Sequence, residues 1–440
     1  MNSIAKPRRI NAGRPPLSDA TLARIALVVA TVLFTVALIS VRPFQPAGGD
    51  PAVQGGDIMN QLGYGGLGAL SIFALMTLAN RNALRVIISP WWIVAIAFVL
   101  ISVTQAIDPA GAMRSAIFTV IAIIIMMTAV SLLEDGNGFA TLLSISAFSV
   151  LGLSYIGLVL FPYAAIHLGD TYEPQHEGLW RGLFSHKNIA GPVMSFFAFV
   201  GVYLMRRGWL WRGSIILILS LLFISHTGSK TTMGLVPLVM ILVALPNVLG
   251  MRALAVAIIA TTLALSALAT LGIVFIPALH DLAAQFLPDL TYTGRVTLWA
   301  FSGEHVLQRP WTGYGFESFW RTPIVYLADR HFDWAWDIRG IVHGHNGYMD
   351  IAVTMGLPAL FVSLVVFVAA PLHDYLRTPR YRENIYLADL FMMIVLFALL
   401  NALLESFFFR RADPVWLFFI FATFGLRLVA RVPMASRLRN

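Results

Sequence analysis

Long apolar runs dominate this sequence and restrict the folds that it can adopt. A helix that crosses about 30 Å of hydrocarbon needs roughly 20 consecutive, predominantly apolar residues. About twelve such runs occur, at 22–41, 62–79, 89–106, 116–133, 142–161, 189–205, 213–227, 231–247, 251–276, 348–370, 386–405 and 413–430. The sequence therefore predicts an all-α polytopic membrane protein with about twelve transmembrane helices.

The composition excludes several other classes of protein. Only 12% of the 440 residues are charged, whereas soluble proteins are about 25% charged. The chain has no cysteine, which excludes disulfides, thiolate metal sites and iron–sulfur clusters. No P-loop or Asp-x-Asp pair is present, which argues against an ATP-driven pump or a nucleotide-sugar transferase.

The distribution of basic residues predicts how the chain is threaded through the membrane. Lys6, Arg8, Arg9 and Arg14 precede the first run, which lacks a convincing cleavage site and so predicts an uncleaved first span. Cytoplasmic loops are enriched in Lys and Arg, so this pattern places both termini in the cytoplasm. The predicted division is a tail at 1–21, spans one to nine at 22–276, a long outer loop at 277–347, spans ten to twelve at 348–430, and a tail at 431–440. The net charge of +8 is explained by this topology, and no nucleic-acid partner is implied.

The outer loop at 277–347, between the ninth and tenth spans, is too long to be a simple connection. It contains five of the eleven tryptophans of the chain, namely Trp299, Trp311, Trp320, Trp334 and Trp336. The pattern at 296–309 predicts an amphipathic helix, so we expect the loop to be partly helical. The tryptophans are compatible with stacking on sugar rings or with an aromatic belt at the membrane surface.

Polar residues that could carry chemistry collect at the predicted outer boundary of the membrane. They come from four separate regions of the chain: Arg181, His186, Lys187 and Asn188; Lys230; Arg295; and His343, His345 and Asn346. The spans themselves are almost free of charge, whereas ion-coupled transporters usually carry intramembrane acids or bases. We therefore expect this protein to act on a substrate at the outer interface rather than to transport one across the membrane.

These residue types suit a lipid-linked diphosphate substrate. Arginine binds phosphate oxygens with a planar fork, and lysine acts as a mobile point charge. A neutral imidazole can remove the proton from an attacking sugar hydroxyl, because its ordinary pKa of about 6.5 is close to the working pH. The combination predicts glycosyl transfer from a polyprenyl diphosphate donor.

Each residue also has a simpler interpretation. Arg181 could anchor lipid headgroups, and Lys230 could extend along the apolar surface to place its ammonium in water. Arg295 could form an ion pair within the loop, with Asp289 or Glu304. His345 or Asn346 could cap the following helix.

A metal site is the competing interpretation of the loop at 162–188. This loop contains His167, Asp170, Glu173, His176 and Glu177, which are residue types that bind metals. Their spacing matches no closed zinc pattern, and an exposed polar loop explains them equally well. We therefore predict no metal site.

Several stretches resemble one family of bacterial membrane enzymes. They are RGLFSHKNIAG at 181–191, TGSKTT at 227–232, GRVTLW at 294–299, RPWTGYGFESF at 309–319 and HGHNGYMDIAVTMGLPAL at 343–360. Together they are similar to the O-antigen ligase and Wzy-type polymerase superfamily, in which a long periplasmic loop lies between late spans. The Ser-His-Lys-Asn form of the first stretch is similar to exopolysaccharide polymerases of the ExoQ type.

The resemblance implies a metal-independent, inverting glycosyltransferase of the inner membrane that needs no cofactor and acts at the periplasmic face. The donor would be a glycan on undecaprenyl diphosphate. The family's pyrophosphate-binding positions would fall on Arg181, Arg295 and Lys230, where Lys230 replaces the usual arginine, and its catalytic histidine on His345. The remaining residues of the outer-boundary set would support these four; they are His186, Lys187, Asn188, His343 and Asn346.

The acceptor distinguishes the functions that remain open. The leading hypothesis is a polymerase of exopolysaccharide repeat units, which would add glycan to glycan alongside other polysaccharide assembly proteins. The alternative is an O-antigen ligase that transfers glycan to lipid A–core in lipopolysaccharide, and a protein-glycosylating enzyme is a weaker option. Outside this class, a polysaccharide flippase would need a charged central cavity, which the predicted spans lack.

Overall fold

A computed structural model describes residues 18–45, 58–169, 174–248, 250–286, 289–329 and 337–434. Most of the two predicted tails lies outside these residues. Trp334 and Trp336 of the long loop, and Asp170 and Glu173 of the shorter loop, also lie outside them.

The described chain is all-helical, which confirms the predicted fold class. Helices account for 76% of the structure, with no strand among the described residues. The α-helices are α1 Asp19–Ile39, α2 Ile58–Thr77, α3 Arg81–Ile87, α4 Pro90–Ser102, α5 Pro109–Ser131, α6 Gly136–Leu160, α7 Pro162–Ala165, α8 Lys187–Arg206, α9 Leu210–His226, α10 Lys230–Val248, α11 Arg252–Ala267, α12 Ile273–Phe275, α13 Pro277–Ala284, α14 Arg295–Gln308, α15 Pro323–Tyr326, α16 Gly347–Leu364, α17 Ala370–Arg377, α18 Arg382–Asn401 and α19 Pro414–Val429. Short π-helical segments join α11 to α12 and α16 to α17.

Each of the apolar runs in the sequence overlaps one of these helices, and the runs at 251–276 and 348–370 each extend over two of them. Among the described residues, eight continuous helical stretches are long and apolar enough to cross a membrane. The pair α3 and α4 passes the same test with a 64° bend, and α9, α10 and α19 are shorter apolar helices. The number of helices that cross the bilayer remains a prediction.

Helices α8 and α18 lie at the centre of the bundle. In their most apolar windows, 78% and 83% of the residues are buried, compared with 17% for Arg252–Phe275 at the periphery. Glycine allows α8 to pack closely against α9. A Cβ atom on Gly201 of α8 would lie only 2.8 Å from the carbonyl oxygen of Gly213 in α9.

Ion pairs tie the helices together at one end of the bundle. Arg206 Nη1 lies 2.6 Å from Asp389 Oδ2, and Arg207 Nε lies 2.8 Å from Glu383 Oε1. These arginines end α8, and their partners lie in the first turns of α18. One end of the bundle therefore contains Arg206, Arg207 and the first turns of α18. The 20 residues of α8 extend about 30 Å to the opposite end.

The long loop is folded around a hydrophobic core of its own. This core contains four buried residues of the loop and one of α16, namely Trp299, Phe319, Val325, Ile338 and Val353. The helix predicted at 296–309 is confirmed as α14.

The three described tryptophans of the loop have different environments. Trp299 and Trp320 are buried and donate hydrogen bonds through their indole nitrogens. They therefore form neither an aromatic belt nor an exposed sugar platform. Trp311 is 74% exposed.

Helix α16 is broken at Gly356, where φ is +85°. The loop fills the break, because Leu357 N donates to the Pro310 carbonyl at 2.7 Å and Tyr314 N donates to the Val353 carbonyl at 2.9 Å. Backbone groups freed at membrane depth must be satisfied within the protein. The first two turns of α16 consequently pack with the folded part of the long loop at 277–347, which we call the loop domain.

The break predicts a specific effect of replacing Gly356. We expect Gly356→Ala to destabilise the protein by about 2 kcal/mol, because alanine rarely adopts this φ and its Cβ would lie 2.6 Å from the Trp311 carbonyl. Thermal unfolding in detergent measures this change. The control is Gly234→Ala, which has open space around it in α10 and should not lower the melting temperature. Equal melting temperatures for the two variants would contradict the prediction.

Candidate active site

One carboxylate joins three of the predicted site residues. Glu405 lies outside the helices, in the segment 402–413 that connects α18 to α19. Its Oε1 accepts hydrogen bonds from Arg295 Nη2 and from Asn188 Nδ2, both at 3.0 Å. Its Oε2 lies 3.1 Å from Nδ1 of His345. Glu405 is 17% exposed, and Arg295 and His345 are each 19% exposed, so these pairs are shielded from bulk water.

The starts of three helices meet at this carboxylate. Asn188 lies in the first turn of α8, Arg295 is the first residue of α14, and His345 immediately precedes the cap of α16. A helix N-terminus carries a partial positive charge and unpaired N–H groups, which attract anions. The three helix starts therefore place groups that attract anions around Glu405.

Backbone hydrogen bonds hold His345 in an uncommon conformation. Its φ is +49°, in the left-handed region that residues other than glycine rarely adopt. Asn346 N donates to the Ser406 hydroxyl at 3.0 Å, and Gly347 N donates to the Ala402 carbonyl at 2.8 Å. The segment that carries Glu405 thus also positions His345.

Asn346 is the N-cap of α16, as one of the simpler interpretations predicted. Its side-chain oxygen accepts from Tyr348 N at 3.1 Å and Met349 N at 3.0 Å, and its amide donates to the Leu403 carbonyl at 2.9 Å. The interpretation of His345 as this cap is therefore wrong.

The loop domain also contacts the segment 343–345, which carries the two histidines and is called the histidine segment. Asp350 Oδ1 accepts hydrogen bonds from Trp320 Nε1 at 2.8 Å and from Gly344 N at 3.0 Å. Trp299 Nε1 donates to the Gly344 carbonyl at 3.1 Å. These bonds attach the residue before His345 to the core of the loop.

The partners of Glu405 keep it ionised. Burial alone would raise the pKa of this carboxyl, but the charge and hydrogen bond of His345 and the charge of Arg295 lower it below the ordinary value. An ionised carboxylate only accepts hydrogen bonds, so His345 carries a proton on Nδ1. In its neutral form His345 therefore presents an unprotonated Nε2, which is a base.

His343 lies beside this base and is held neutral. Its ring centroid is 4.2 Å from that of His345, and its Nδ1 accepts a hydrogen bond from His345 N at 3.3 Å. Burial lowers the pKa of His343 well below its ordinary value, and the neighbouring His345, Arg410 and His186 lower it further.

Arg295 is anchored to the segment 402–413 as well as to its own loop, where its Nη1 donates to the Tyr292 carbonyl at 3.4 Å. Its Nε donates to the Leu404 carbonyl at 3.1 Å, in addition to the contact with Glu405. The interpretation of Arg295 as an ion pair with Asp289 or Glu304 is therefore wrong. The actual partner lies 110 residues away in sequence.

Arg181 is the predicted diphosphate ligand whose described contacts are all with the backbone. It is buried in the loop before α8, and burial lowers the pKa of its guanidinium. Its Nη1 donates to the carbonyls of Gln45, Phe184 and Ser185. No described hydrogen bond or ion pair joins Arg181 to Glu405, so its clear effect is to order the loop that leads to α8.

The remaining predicted residues surround these groups. Lys230 is the first residue of α10 and is exposed. Helix α10 begins beside α8, because a Cβ atom on Gly191 would lie 2.9 Å from the Thr232 hydroxyl. His186 is the N-cap of α8 and accepts from Asn188 N, while Lys187 N donates to His167 Nε2 at 3.2 Å.

Two histidine groups resemble metal sites to different degrees. The rings of His167 and His176 lie 5.5 Å apart, but two of the other three proposed ligands, Asp170 and Glu173, lie outside the described residues. Potential ligand atoms of His343, His345 and Glu405 lie within 4.8 Å of one another. In this second group, the Glu405 carboxylate already binds the guanidinium of Arg295. The three helix N-termini around Glu405 favour an anion over a metal cation.

One known family matches part of this chain. Residues 215–364 match the family model of O-antigen ligases. The match confirms the resemblance to the O-antigen ligase and Wzy-type superfamily. It includes Lys230, Arg295 and His345 but stops before Glu405. No curated protein matches the chain.

The sequence interpretation did not single out Glu405, although a signal was present. Glu405 is the one acidic residue in the apolar stretch NALLESFFF at 401–409. A carboxylate in such surroundings is costly unless it is paired. An unexplained acid at the end of a predicted span was therefore a reason to look for a cationic partner.

The contacts of Glu405 predict how its removal affects stability. We expect Glu405→Gln to cost about 3 kcal/mol at pH 7, because it leaves a buried guanidinium without its counter-charge. A lowered pKa in the folded state stabilises the fold above the unfolded pKa of about 4.3, and this contribution is lost as the pH falls through the folded value. The difference in melting temperature between wild type and variant should therefore shrink only below about pH 4.3.

The control for this measurement is Asp337→Asn. Asp337 forms an exposed ion pair with Arg339, and exposed pairs contribute little to stability. Glu405→Gln would contradict the prediction if it melted at the wild-type temperature at pH 7.

Proposed function

We propose that this chain is an inverting glycosyltransferase of the bacterial inner membrane that polymerises exopolysaccharide repeat units. Its donor is a glycan on undecaprenyl diphosphate, and its site faces the periplasm while both termini lie in the cytoplasm. The observation that carries the proposal is the shared carboxylate of Glu405, which holds a phosphate-binding group, Arg295, and a base, His345, at 3.0 and 3.1 Å.

His345 acts as the general base in this proposal. Its Nε2 takes the proton of an acceptor hydroxyl as that oxygen forms a bond to the anomeric carbon of the donor. The bond from this carbon to the diphosphate oxygen breaks on the opposite face, and its electron pair leaves with the diphosphate. A single displacement of this kind inverts the configuration.

Glu405 has two functions in this reaction. It holds the Nδ1 proton of His345, so that Nε2 points its lone pair at the acceptor, and it stabilises the imidazolium that forms. It also fixes the position of the Arg295 guanidinium before substrate binds. Groups that are positioned in advance lose little entropy when the transition state forms.

Arg295 and the surrounding positive groups stabilise the leaving diphosphate. One well-placed donor contributes about 3–4 kcal/mol to a developing anion. Lys230 supplies a mobile charge at the start of α10, and we propose that Arg181 contributes by ordering the loop that carries His186 and Asn188. These groups supply the charge that a divalent cation would otherwise provide, so the reaction is proposed to be independent of metal and of any cofactor.

The choice of acceptor depends on two different observations. The sequence Ser185–His186–Lys187–Asn188 supports polymerisation, through its similarity to exopolysaccharide polymerases. The family match at 215–364 supports the alternative, an O-antigen ligase that transfers glycan to lipid A–core. Both use the same donor and the same chemistry.

The catalytic role of His345 predicts the behaviour of its alanine variant. We expect His345→Ala to lower the transfer rate of the purified protein by about 100-fold or more, with unchanged affinity for undecaprenyl diphosphate, because the base is removed while Arg295 remains. The control is His373→Ala, since His373 is 53% exposed and lies outside the site. Wild-type activity should survive treatment with a chelator. A normal transfer rate in His345→Ala would contradict the role of the base, and loss of wild-type activity on chelation would contradict metal independence.

Deletion of the gene distinguishes the two acceptors. If the protein is a polymerase, we expect the deletion strain to lose exopolysaccharide and to retain complete lipopolysaccharide. Lipopolysaccharide without O-antigen would identify the alternative ligase, and both glycans unchanged would contradict both functions. Complementation with the wild-type gene, but not with His345→Ala, ties the phenotype to the site.

A further inference from the structure

The segment 402–413 carries two arginines as well as Glu405. After Glu405 the backbone turns sharply, with φ of +56° at Phe409 and +58° at Ala412. These unusual conformations flank Arg410 and Arg411, which are both half-buried. Strained turns of this type persist when the surrounding structure requires them.

Hydrogen bonds place Arg410 next to the histidine segment. Its Nη1 donates to the Ser406 carbonyl at 3.1 Å, and the Ser406 hydroxyl accepts from the backbone N of Asn346 at 3.0 Å. Asn346 directly follows His345. In agreement with this position, the charge of Arg410 is one of those that lower the pKa of His343.

Most of the donors of Arg410 remain available for a ligand. Among the described residues, the bond to Ser406 is the one hydrogen bond of this side chain, and no carboxylate forms an ion pair with it. The nearby carboxylates have other partners, since Asp413 caps α19 by accepting from Val415 N at 2.8 Å and Asp350 accepts from Trp320 and Gly344. Arg411 differs, because its guanidinium lies over the ring of Phe118, 5.9 Å from the centroid.

A diphosphate needs more positive charge than Arg295 alone supplies. Glu405 offsets much of the charge of Arg295, and the Arg181 guanidinium is directed at backbone carbonyls. A guanidinium with unoccupied donors binds phosphate oxygens bidentately.

We propose that Arg410 is a second arginine that binds the diphosphate of the lipid-linked donor. This proposal rests on the proposed function, because it assumes that the site receives a diphosphate. It assigns substrate binding to the segment between α18 and α19, which also carries Glu405. Arg295 and Arg410 would then bind one diphosphate from two different parts of the fold.

Direct binding to the purified full-length protein tests the proposal. The probes are undecaprenyl diphosphate and undecaprenyl monophosphate, each titrated into the protein in lipid nanodiscs. We expect Arg410→Gln to weaken binding of the diphosphate by about 10-fold, which corresponds to about 1.4 kcal/mol, and to affect the monophosphate less. Arg410→Lys should have an intermediate effect, because it keeps the charge but loses the planar fork.

The neighbouring arginine provides the matched control. Arg411→Gln removes the same charge one residue away and should change diphosphate affinity by less than about 2-fold, because this guanidinium packs on an aromatic ring. Equal weakening by the two Gln variants would indicate a general effect of charge and would overturn the proposal. Wild-type affinity in Arg410→Gln would also overturn it.

Two further measurements keep the result interpretable. Thermal unfolding shows whether Arg410→Gln is folded. If it is not, the affinity of Arg410→Lys decides the question, and wild-type affinity in that variant overturns the proposal. Failure of the wild type to bind undecaprenyl diphosphate, or full transfer activity in His345→Ala, would instead contradict the proposed function. Wild-type binding that is indifferent to Arg410 overturns only the role of Arg410.

Discussion

The organisation of this site depends on one buried carboxylate that must be paired. Glu405 lies in an apolar stretch between α18 and α19, where an unpaired charge would cost several kcal/mol. Its partners come from the start of α8, the start of α14 and the segment before α16. The same interaction therefore stabilises the loop domain on the helical bundle and brings together the groups that could bind and activate a substrate.

The loop domain and the bundle are interlocked rather than simply connected. The first two turns of α16 belong to the hydrophobic core of the loop, while the residues after Gly356 continue as an apolar helix. Loop residues satisfy the backbone at this break, and Asp350 and Trp299 attach the histidine segment to the loop core. His345 is thus held from the loop through Gly344 and from the bundle through Glu405.

The two ends of the bundle use their arginines differently. At one end, Arg206 and Arg207 pair with carboxylates of α18, and these ion pairs join two helices. At the other end, Arg295 shares its carboxylate partner with His345 and Asn188, at the starts of three helices. The unpaired N–H groups and partial positive charge of a helix start attract anions. Groups that attract anions are therefore concentrated at the end that carries the histidines.

The sequence by itself determined the helical, membrane-type fold, the helix at Arg295–Gln308, the Asn346 cap, and the candidate residues Asn188, Arg295 and His345. These features depend on hydropathy, helix periodicity and local capping, which are properties of short stretches of chain. Only the tertiary structure decided that Glu405 joins these residues, that Arg181 is directed at backbone carbonyls, and that Arg410 lies beside the histidines. The partners of Glu405 lie 60, 110 and 217 positions away, and ion pairs over such separations depend on how the whole chain packs rather than on any local pattern.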